Sequence, residues 1–144
     1  VHVTNAGNIA ADFDDSHVSD NKGATATTTP TADDNANVKI VSGGTSVNSI
    51  AVTFDDTYVK DGAAHGVLLA FSGTHGAGNT PATVSFDGDN AIKGNAARGL
   101  VVVGHASATA GATDSLAITG YDNVDNMDNA VTNTAFVALN TVNL

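Results

Sequence analysis

The stretch VTFDDTYVKDGAAHGVLL, residues 52–69, returns thirty-two residues later as VSFDGDNAIKGNAARGLVV, residues 84–102. The two copies match at apolar, acidic and basic positions: Val52 with Val84, Phe54 with Phe86, Asp55 with Asp87, Val59 with Ile92 and Lys60 with Lys93. One residue is inserted in the second copy between the acidic and the following apolar matches. Self-similarity of this density indicates a duplicated supersecondary unit.

Weaker copies of the same unit lie on both sides of the pair. An aromatic residue followed by Asp occurs four times: Phe13-Asp14, Phe54-Asp55, Phe86-Asp87 and Tyr121-Asp122. The spacings between successive aromatics are 41, 32 and 35 residues. Unequal spacing favours duplicated units joined by variable loops over a rigid stack of equal rungs. We place internal repeats near residues 48–71, 80–103 and 114–139.

The apolar segments of these repeats are typical of β-strands. SIAVTF and ATVSF alternate apolar and polar residues, whereas GVLLAF and GLVVV are continuously apolar, as expected of strands buried on both faces. Helix is disfavoured because the chain contains no Glu or Gln and few Lys or Arg. We therefore predict an all-β fold, an antiparallel β-sandwich or jelly roll built from duplicated strand and loop units, with a β-solenoid as the alternative.

The first quarter of the chain differs from the rest. Residues 12–37 form the longest polar stretch, rich in Thr, Asp and Asn, and we predict that they are an arm between an N-terminal strand, residues 1–11, and a β-rich body, residues 38–144. Such an arm would let the first strand pair with a neighbouring subunit. The alternative is that it folds back onto its own domain. The predicted assembly residues are Val1, His2, Val3 and Thr4.

Composition restricts the partners and the compartment. A formal net charge of −10 disfavours nucleic acid, because phosphate binding needs clustered Lys and Arg. The absence of Cys excludes a disulfide framework and a thiolate zinc site. No apolar run approaches the ~20 residues of a membrane span, so we expect no membrane insertion. Because the chain begins with Val1, we expect a secreted protein with its leader removed, located outside the cell or on its surface.

Carboxylates and amides cluster after the apolar segments, and such oxygen ligands suit Ca²⁺. FDGDN and YDNVDNMDN are the best local candidates, and the second resembles the Asp- and Asn-rich calcium loop of small bacterial sugar-binding lectins. The predicted calcium ligands are Asp87, Asp89, Asn90, Asp122, Asp125 and Asp128, with a weaker set of Asp55, Asp56 and Asp61. No other cofactor is expected.

No catalytic signature stands out in the sequence. There is no G-x-S-x-G nucleophile elbow, and the Gly-rich segments lack the Lys-Ser or Lys-Thr of a phosphate-binding loop. His65 aligns with Arg98, which indicates a solvated position that accepts any polar cation. We therefore expect that the chain is not an enzyme.

These observations favour three functions. The first is an extracellular structural subunit that assembles with copies of itself into a filament, tube or surface layer by β-strand pairing, with calcium as an additional stabiliser. The second is a calcium-dependent carbohydrate-binding or adhesion module with a glycan partner. The third, a weaker alternative, is a viral capsid decoration protein.

Overall fold

The computed structural model describes residues 1–5, 8–42, 50–71, 82–103, 115–131, 134–137 and 141–143, and consists mainly of short strands. Their bounds are as follows: β1 His2–Asn5, β2 Ile9–Asp14, β3 His17–Ser19, β4 Ala36–Ser42, β5 Ile50–Asp55, β6 Tyr58–Lys60, β7 His65–Phe71, β8 Ala82–Asp87, β9 Ala91–Lys93, β10 Leu100–Val103, β11 Ser115–Thr119, β12 Thr134–Val137 and β13 Thr141–Asn143. One 3-10 turn, η1, covers Tyr121–Asn123. No helix in the described part is long and apolar enough to cross a membrane.

The strands form three sheets, and every pairing between described strands is parallel. The first sheet contains β1, β4, β7, β10 and β12, the second β2, β5, β8, β11 and β13, and the third β3, β6 and β9. The chain passes from the second sheet to the third, then to the first, and returns to the second one strand further on. Each circuit is therefore a three-sided coil, and the coils stack as in a parallel β-solenoid.

The prediction of an antiparallel sandwich or jelly roll is wrong, and the third sheet is the reason. Its strands β6 and β9 are only three residues long and contribute one central interior residue each, Val59 and Ile92. In the sequence, the apolar pattern reveals only the two longer strands of each repeat. Two strands per repeat suggest a hairpin, in which successive strands run in opposite directions. A third short strand instead turns the chain through a full circuit, so the next repeat runs in the same direction beside the first.

The alignment of the two repeat copies is confirmed by the strand register. Val52 pairs with Val84, and Lys60 pairs with Lys93. Parallel in-register pairing therefore places like beside like, most clearly in an interior stack of Phe13, Phe54 and Phe86. Their ring centroids are 5.0 and 5.1 Å apart, and both pairs of ring planes lie at 9°. Stacked aromatic pairs contribute about 0.5–1.5 kcal/mol each beyond the area that they bury.

The fourth aromatic in the series departs from this register. Thr119 pairs with Ser85, so the next residue, Gly120, falls beside Phe86 and the ring of Tyr121 comes one residue late. The Tyr121 ring lies 5.4 Å from that of Phe86 but is tilted by 52°. Tyr121 thus occupies the same part of the coil as the three phenylalanines, but its ring does not stack in parallel with theirs.

The first sheet is buried on both faces, as the continuous apolar segments predicted. Val67, Leu69, Leu100 and Val102 belong to the interior core, whereas Leu68 and Val101 form a second cluster with Ala36. Leu68 and Val101 are both fully buried. The outer side of this sheet is therefore shielded from solvent at Leu68 and Val101. The second sheet differs, because its outer residues include the exposed Ala51 and Thr83.

Residues 12–37, which the sequence suggested as an arm, contribute strands to the first coil. They contain the end of β2, all of β3 and the start of β4. The strand β1 pairs with β4 of the same chain, with Val3 beside Ile40. The segment between β3 and β4 is long and non-repetitive, and it carries the buried polar pair described below.

Candidate functional site

Five aspartates line the corner where the second sheet ends and the third begins. Asp14, Asp55 and Asp87 are register neighbours at the last positions of β2, β5 and β8, and Asp15 and Asp56 follow the first two. We call this set the acidic corner. Partial burial and then the charges of Asp56, Asp14, Asp87 and Asp15 raise the pKa of Asp55 above its usual range. Repulsion between the ionised carboxylates therefore opposes the stacking of the coils. Dissolved cations screen this repulsion.

The turn after these strands has a left-handed backbone residue in each coil. Asp15 and Asp56 have φ of 45° and 46°, and Gly88 has φ of 68° in the third coil. A Cβ atom at Gly88 would lie 2.2 Å from Oδ1 of Asp56. This oxygen accepts a 2.7 Å hydrogen bond from the backbone N–H of Asp89. The Asp56 carboxylate thus has a structural role in holding the next coil.

Several of the predicted calcium ligands already have protein partners. The side-chain oxygen of Asn90 accepts from the backbone N–H of Thr57, and its amide nitrogen donates to the carbonyls of Phe54 and Asp87. Asn90 is buried, and these bonds close the turn between β8 and β9. The carboxylate of Asp125 lies 2.8 Å from the Nζ of Lys93. That bond and the negative charge of Asp125 raise the pKa of Lys93.

The remaining predicted ligands are distributed around the coil. Asp61 and Asp128 occupy left-handed positions after the third sheet, and Asp122 lies in η1. Asp89, Asn90 and Asp125 do come together, because all three line one cavity of about 300 Å³ beside Tyr58. Within the ranges given above, no three His or Asp side chains are grouped so that they could hold a metal ion. Calcium binding stays a prediction.

A buried ionisable pair lies at the start of β7, the central strand of the first sheet. The Nε2 atom of His65 is 3.1 Å from Oδ2 of Asp34, and both side chains are 1% exposed. The backbone N–H of Arg98 donates to Nδ1 of His65. Because Nδ1 accepts, the proton of the neutral ring is on Nε2, where it is donated to Asp34. Asp34 also accepts hydrogen bonds from the backbone N–H and hydroxyl of Thr27.

Both members of the pair have lowered pKa values, for different reasons. Burial lowers the pKa of His65 by disfavouring the charged ring, against the raising effect of Asp34. For Asp34, burial alone would raise the pKa, but the hydrogen bonds from Thr27 and His65 together outweigh it and leave the pKa lowered. At neutral pH the pair is accordingly a carboxylate bonded to a neutral imidazole.

The pair fastens residues 24–35 to the coil. In addition to the bonds to Thr27, the backbone carbonyl of Asp34 accepts a 2.8 Å bond from Lys39, and the backbone N–H of Asn35 donates to Thr25. We call residues 24–35 the side lobe. A cavity of about 310 Å³ separates it from the coil, lined by Thr27, His65, Arg98 and others.

The interpretation of His65 as a solvated residue is wrong. Its alignment with Arg98 is correct, since the two are neighbours in adjacent coils, but His65 is bonded to Asp34 and fully buried, whereas Arg98 is only partly buried. Among the described residues the side lobe occurs once, whereas the repeat occurs several times. Alignment of the repeats therefore cannot show that His65 is buried, because the segment that buries it is present in one coil only. Its partner Asp34 also lies in a segment without an apolar pattern.

Buried asparagines connect successive coils at a second corner. The Asn95 side-chain oxygen accepts from the backbone N–H of Gly62 and from the amide of Asn37, and Asn129 in turn accepts from both nitrogens of Asn95. A Cβ atom at Gly62 would lie 2.8 Å from the Asn37 amide, so the glycine makes room for this contact. Asn37 and Asn95 are each 1% exposed. These bonds satisfy backbone groups where the sheets end.

No protein-family model, no curated protein and no solved structure matches the chain. The expectation that the chain is not an enzyme stays a prediction.

Acid should weaken the fold through the Asp34–His65 pair. A His whose folded pKa is lowered contributes stability that is present above its unfolded pKa of about 6.5 and is lost as the pH falls below it. Asp34 extends the loss at lower pH, below its unfolded value of 3.8. We expect the free energy of unfolding, from urea titrations, to fall between pH ~7.5 and pH ~5.5 (about one unit on each side of the His value).

Two glutamine variants separate this effect from general acid sensitivity. His65→Gln should reduce stability at neutral pH by about 1.5–3 kcal/mol, because Asp34 loses a hydrogen bond to a charged group, and should flatten the pH dependence above pH ~5. His17→Gln, which changes an exposed histidine of the third sheet, should keep the wild-type slope. An unchanged slope in His65→Gln would contradict the assignment.

The role of Asn90 distinguishes a structural turn from a calcium ligand. Asn90→Asp should destabilise the chain by about 1–3 kcal/mol, because a carboxylate cannot donate to the carbonyls of Phe54 and Asp87. Added CaCl₂ should not reverse the loss when compared with NaCl at equal ionic strength. The control is Asn123→Asp at an exposed position nearby. A calcium-specific rescue of Asn90→Asp would show that residue 90 is a ligand.

Proposed function

We propose that the chain is an extracellular structural subunit whose copies join end to end by parallel strand pairing. The observation that carries the proposal is the position of the edge strands. In the described part, β1, β2 and β3 each pair with a single strand, and they are the edges of the three sheets at the same end of the coil. At the other end, β12 and β13 are the edges of the first two sheets.

Edge strands carry backbone N–H and C=O groups that can pair with another chain. A second copy placed one strand spacing, about 4.8 Å, beyond an edge would continue the sheets in the direction already set by the coils. The two ends are different surfaces, so the contact is head to tail and does not close on itself. Repetition of such a contact gives a filament.

The side walls of the coil are compatible with this role. The charge of −10 keeps copies apart side by side, and the outer residues of the second sheet are small or polar. The acidic corner adds to the repulsion along its column, and dissolved Ca²⁺ would relieve it, which agrees with a filament stabilised by calcium. This version uses edge pairing and does not require the first strand to be exchanged.

Sedimentation velocity and negative-stain microscopy of the purified chain, with calcium and with chelator, test the proposal. We expect species that lengthen with protein concentration. Val18→Lys places a charge on the inner side of the edge strand β3, where Val18 packs against the core, and should prevent addition at that end. Thr83→Lys adds the same side chain to an exposed wall position and should assemble normally.

Far-UV circular dichroism must show that both variants keep the strand signal. In mixtures, a small fraction of Val18→Lys should shorten wild-type filaments, because its other end still adds to a growing edge and then blocks it. A wild-type chain that stays monomeric at every concentration, or equal assembly by the two lysine variants, would overturn the proposal.

A further inference from the structure

At the end of the coil where the chain begins, the first sheet extends one strand further than the third. The strands β2, β3 and β4 follow one another in a single circuit and are the first strands of that circuit in their sheets. The strand β1 precedes this circuit and pairs with β4, so it lies one strand spacing further out. Among the described strands, none lies beside β1 in the third sheet, which ends at β3.

A cavity of about 440 Å³ occupies the place beside β1. Val1 and His2 line it on the side of the first sheet, and Val18 and Ser19 of β3 line it on the side of the third. The corner around Asn37 closes it behind. The cavity therefore lies where one further strand of the third sheet would run.

The exposure of Val18 shows that this strand position is open. Val18 is the register partner of Val59, and Val59 is the register partner of Ile92. Val59 and Ile92 are each 1% exposed, whereas Val18, which packs against the same core, is only half-buried. Val59 has a register partner on both sides and Val18 on one side only. An apolar side chain placed over Val18 would continue the interior column and remove its remaining apolar surface from water.

The backbone of β3 is oriented to accept a strand on the same side. In a parallel ladder, successive residues direct their N–H and C=O groups to opposite sides. The carbonyl of Ser16 accepts a 2.9 Å hydrogen bond from the backbone N–H of Tyr58, so Ser16 faces β6. The N–H and C=O groups of His17 and Ser19 consequently point to the open side, where β3 has no partner among the described strands. Such groups can pair with a strand of another chain.

These features select an extended peptide as the ligand. Only an extended backbone presents donors and acceptors at the spacing of His17 and Ser19, and only an apolar side chain at its central position covers Val18. The other strands of the third sheet show the pattern that fits. Each has a β-branched apolar residue, Val59 or Ile92, between two residues that point away from the core.

We propose that the cavity over β3 is a docking site for an extended segment of a partner protein, which adds to the third sheet as a parallel strand. The segment carries Val or Ile between two residues that face outward. Main-chain hydrogen bonds supply affinity and the contact with Val18 supplies specificity, as in other cases of strand addition. The site belongs to a single subunit, so it goes beyond end-to-end assembly and is tested on monomeric chain.

A tethered strand tests the geometry without requiring a high affinity, because the tether raises the effective concentration. His2 lies in the register column of Lys39, Leu68 and Val101, so Val1 has the position of Leu100. A copy of residues 91–99 fused directly in front of Val1 therefore places a copy of Ile92 over Val18.

Hydrogen exchange of individual amides, measured by NMR, reports whether this strand adds. We expect exchange at His17 and Ser19 to slow by about tenfold or more in the extended chain, because their N–H groups gain acceptors. The Tyr58 amide, which is already bonded to Ser16, is the internal reference. The matched control is the same extension with Asp in place of the copy of Ile92. It should leave exchange at the parent rate, because a carboxylate would have to be buried over Val18.

A free peptide tests binding between separate molecules. The probe is the acetylated and amidated peptide of residues 90–95, NAIKGN, added to ¹⁵N-labelled chain that sedimentation velocity shows to be monomeric. We expect saturable shift changes confined to residues 1–3 and 16–21. Ser19→Pro removes one N–H from the open side of β3, a change that edge strands tolerate, and should weaken binding by about tenfold or more. Ser19→Ala keeps the N–H and should bind as the parent does.

Three outcomes would overturn the proposal: unchanged exchange at His17 and Ser19 in the extended chain, equal protection by the Asp control, or undiminished peptide binding by Ser19→Pro. Circular dichroism checks that Ser19→Pro keeps the strand signal. Should that variant not fold, the two extended chains decide the question alone. Because every assay uses monomeric chain, a failure of filament formation is observed separately and leaves these results unaffected.

Discussion

In-register parallel pairing of equivalent residues is the constraint on which the rest of this molecule depends. Once a coil of three strands lies directly on the previous one, the interior positions of the first three coils meet their own equivalents at one strand spacing. The stack of Phe13, Phe54 and Phe86 illustrates the consequence, with nearly parallel rings about 5 Å apart. A side chain that packs well on itself can be repeated along the coil, and this explains why the sequence contains the same unit more than once.

In-register pairing is unfavourable at charged positions, where like charges repel, and favourable at asparagine positions, where side chains hydrogen-bond between coils. Repetition places Asp14, Asp55 and Asp87 side by side, and partial burial together with the neighbouring carboxylates, Asp56 first, raises the pKa of Asp55. At another corner the repetition is favourable, because Asn95 bonds to Asn129 of the next coil and supplies an acceptor to the backbone of Gly62. The proposed assembly surface, formed by the edge strands, lies where the repetition stops.

The sequence predicted the repeat register and the two-sided burial of the first sheet, because both follow from apolar side chains at recurring positions. It did not predict the direction of the strands. Each strand of the third sheet has one central interior residue, Val59 or Ile92, which is too little pattern to separate a strand from a loop. The Asp34–His65 pair was missed because the side lobe is present in one coil only.

Disulfide trapping tests the parallel coil most directly, and the absence of native Cys makes the background clean. Register neighbours in a sheet fall within the 4.4–6.8 Å Cα separation that a disulfide usually spans. We expect the cysteine pairs at Ala51 and Thr83 and at Asp55 and Asp87 both to form disulfides, because both are register partners in β5 and β8. The crossed pair, Ala51 and Asp87, should not form one. Antiparallel strands cannot bring both direct pairs together, so a disulfide in the crossed pair would contradict the parallel coil.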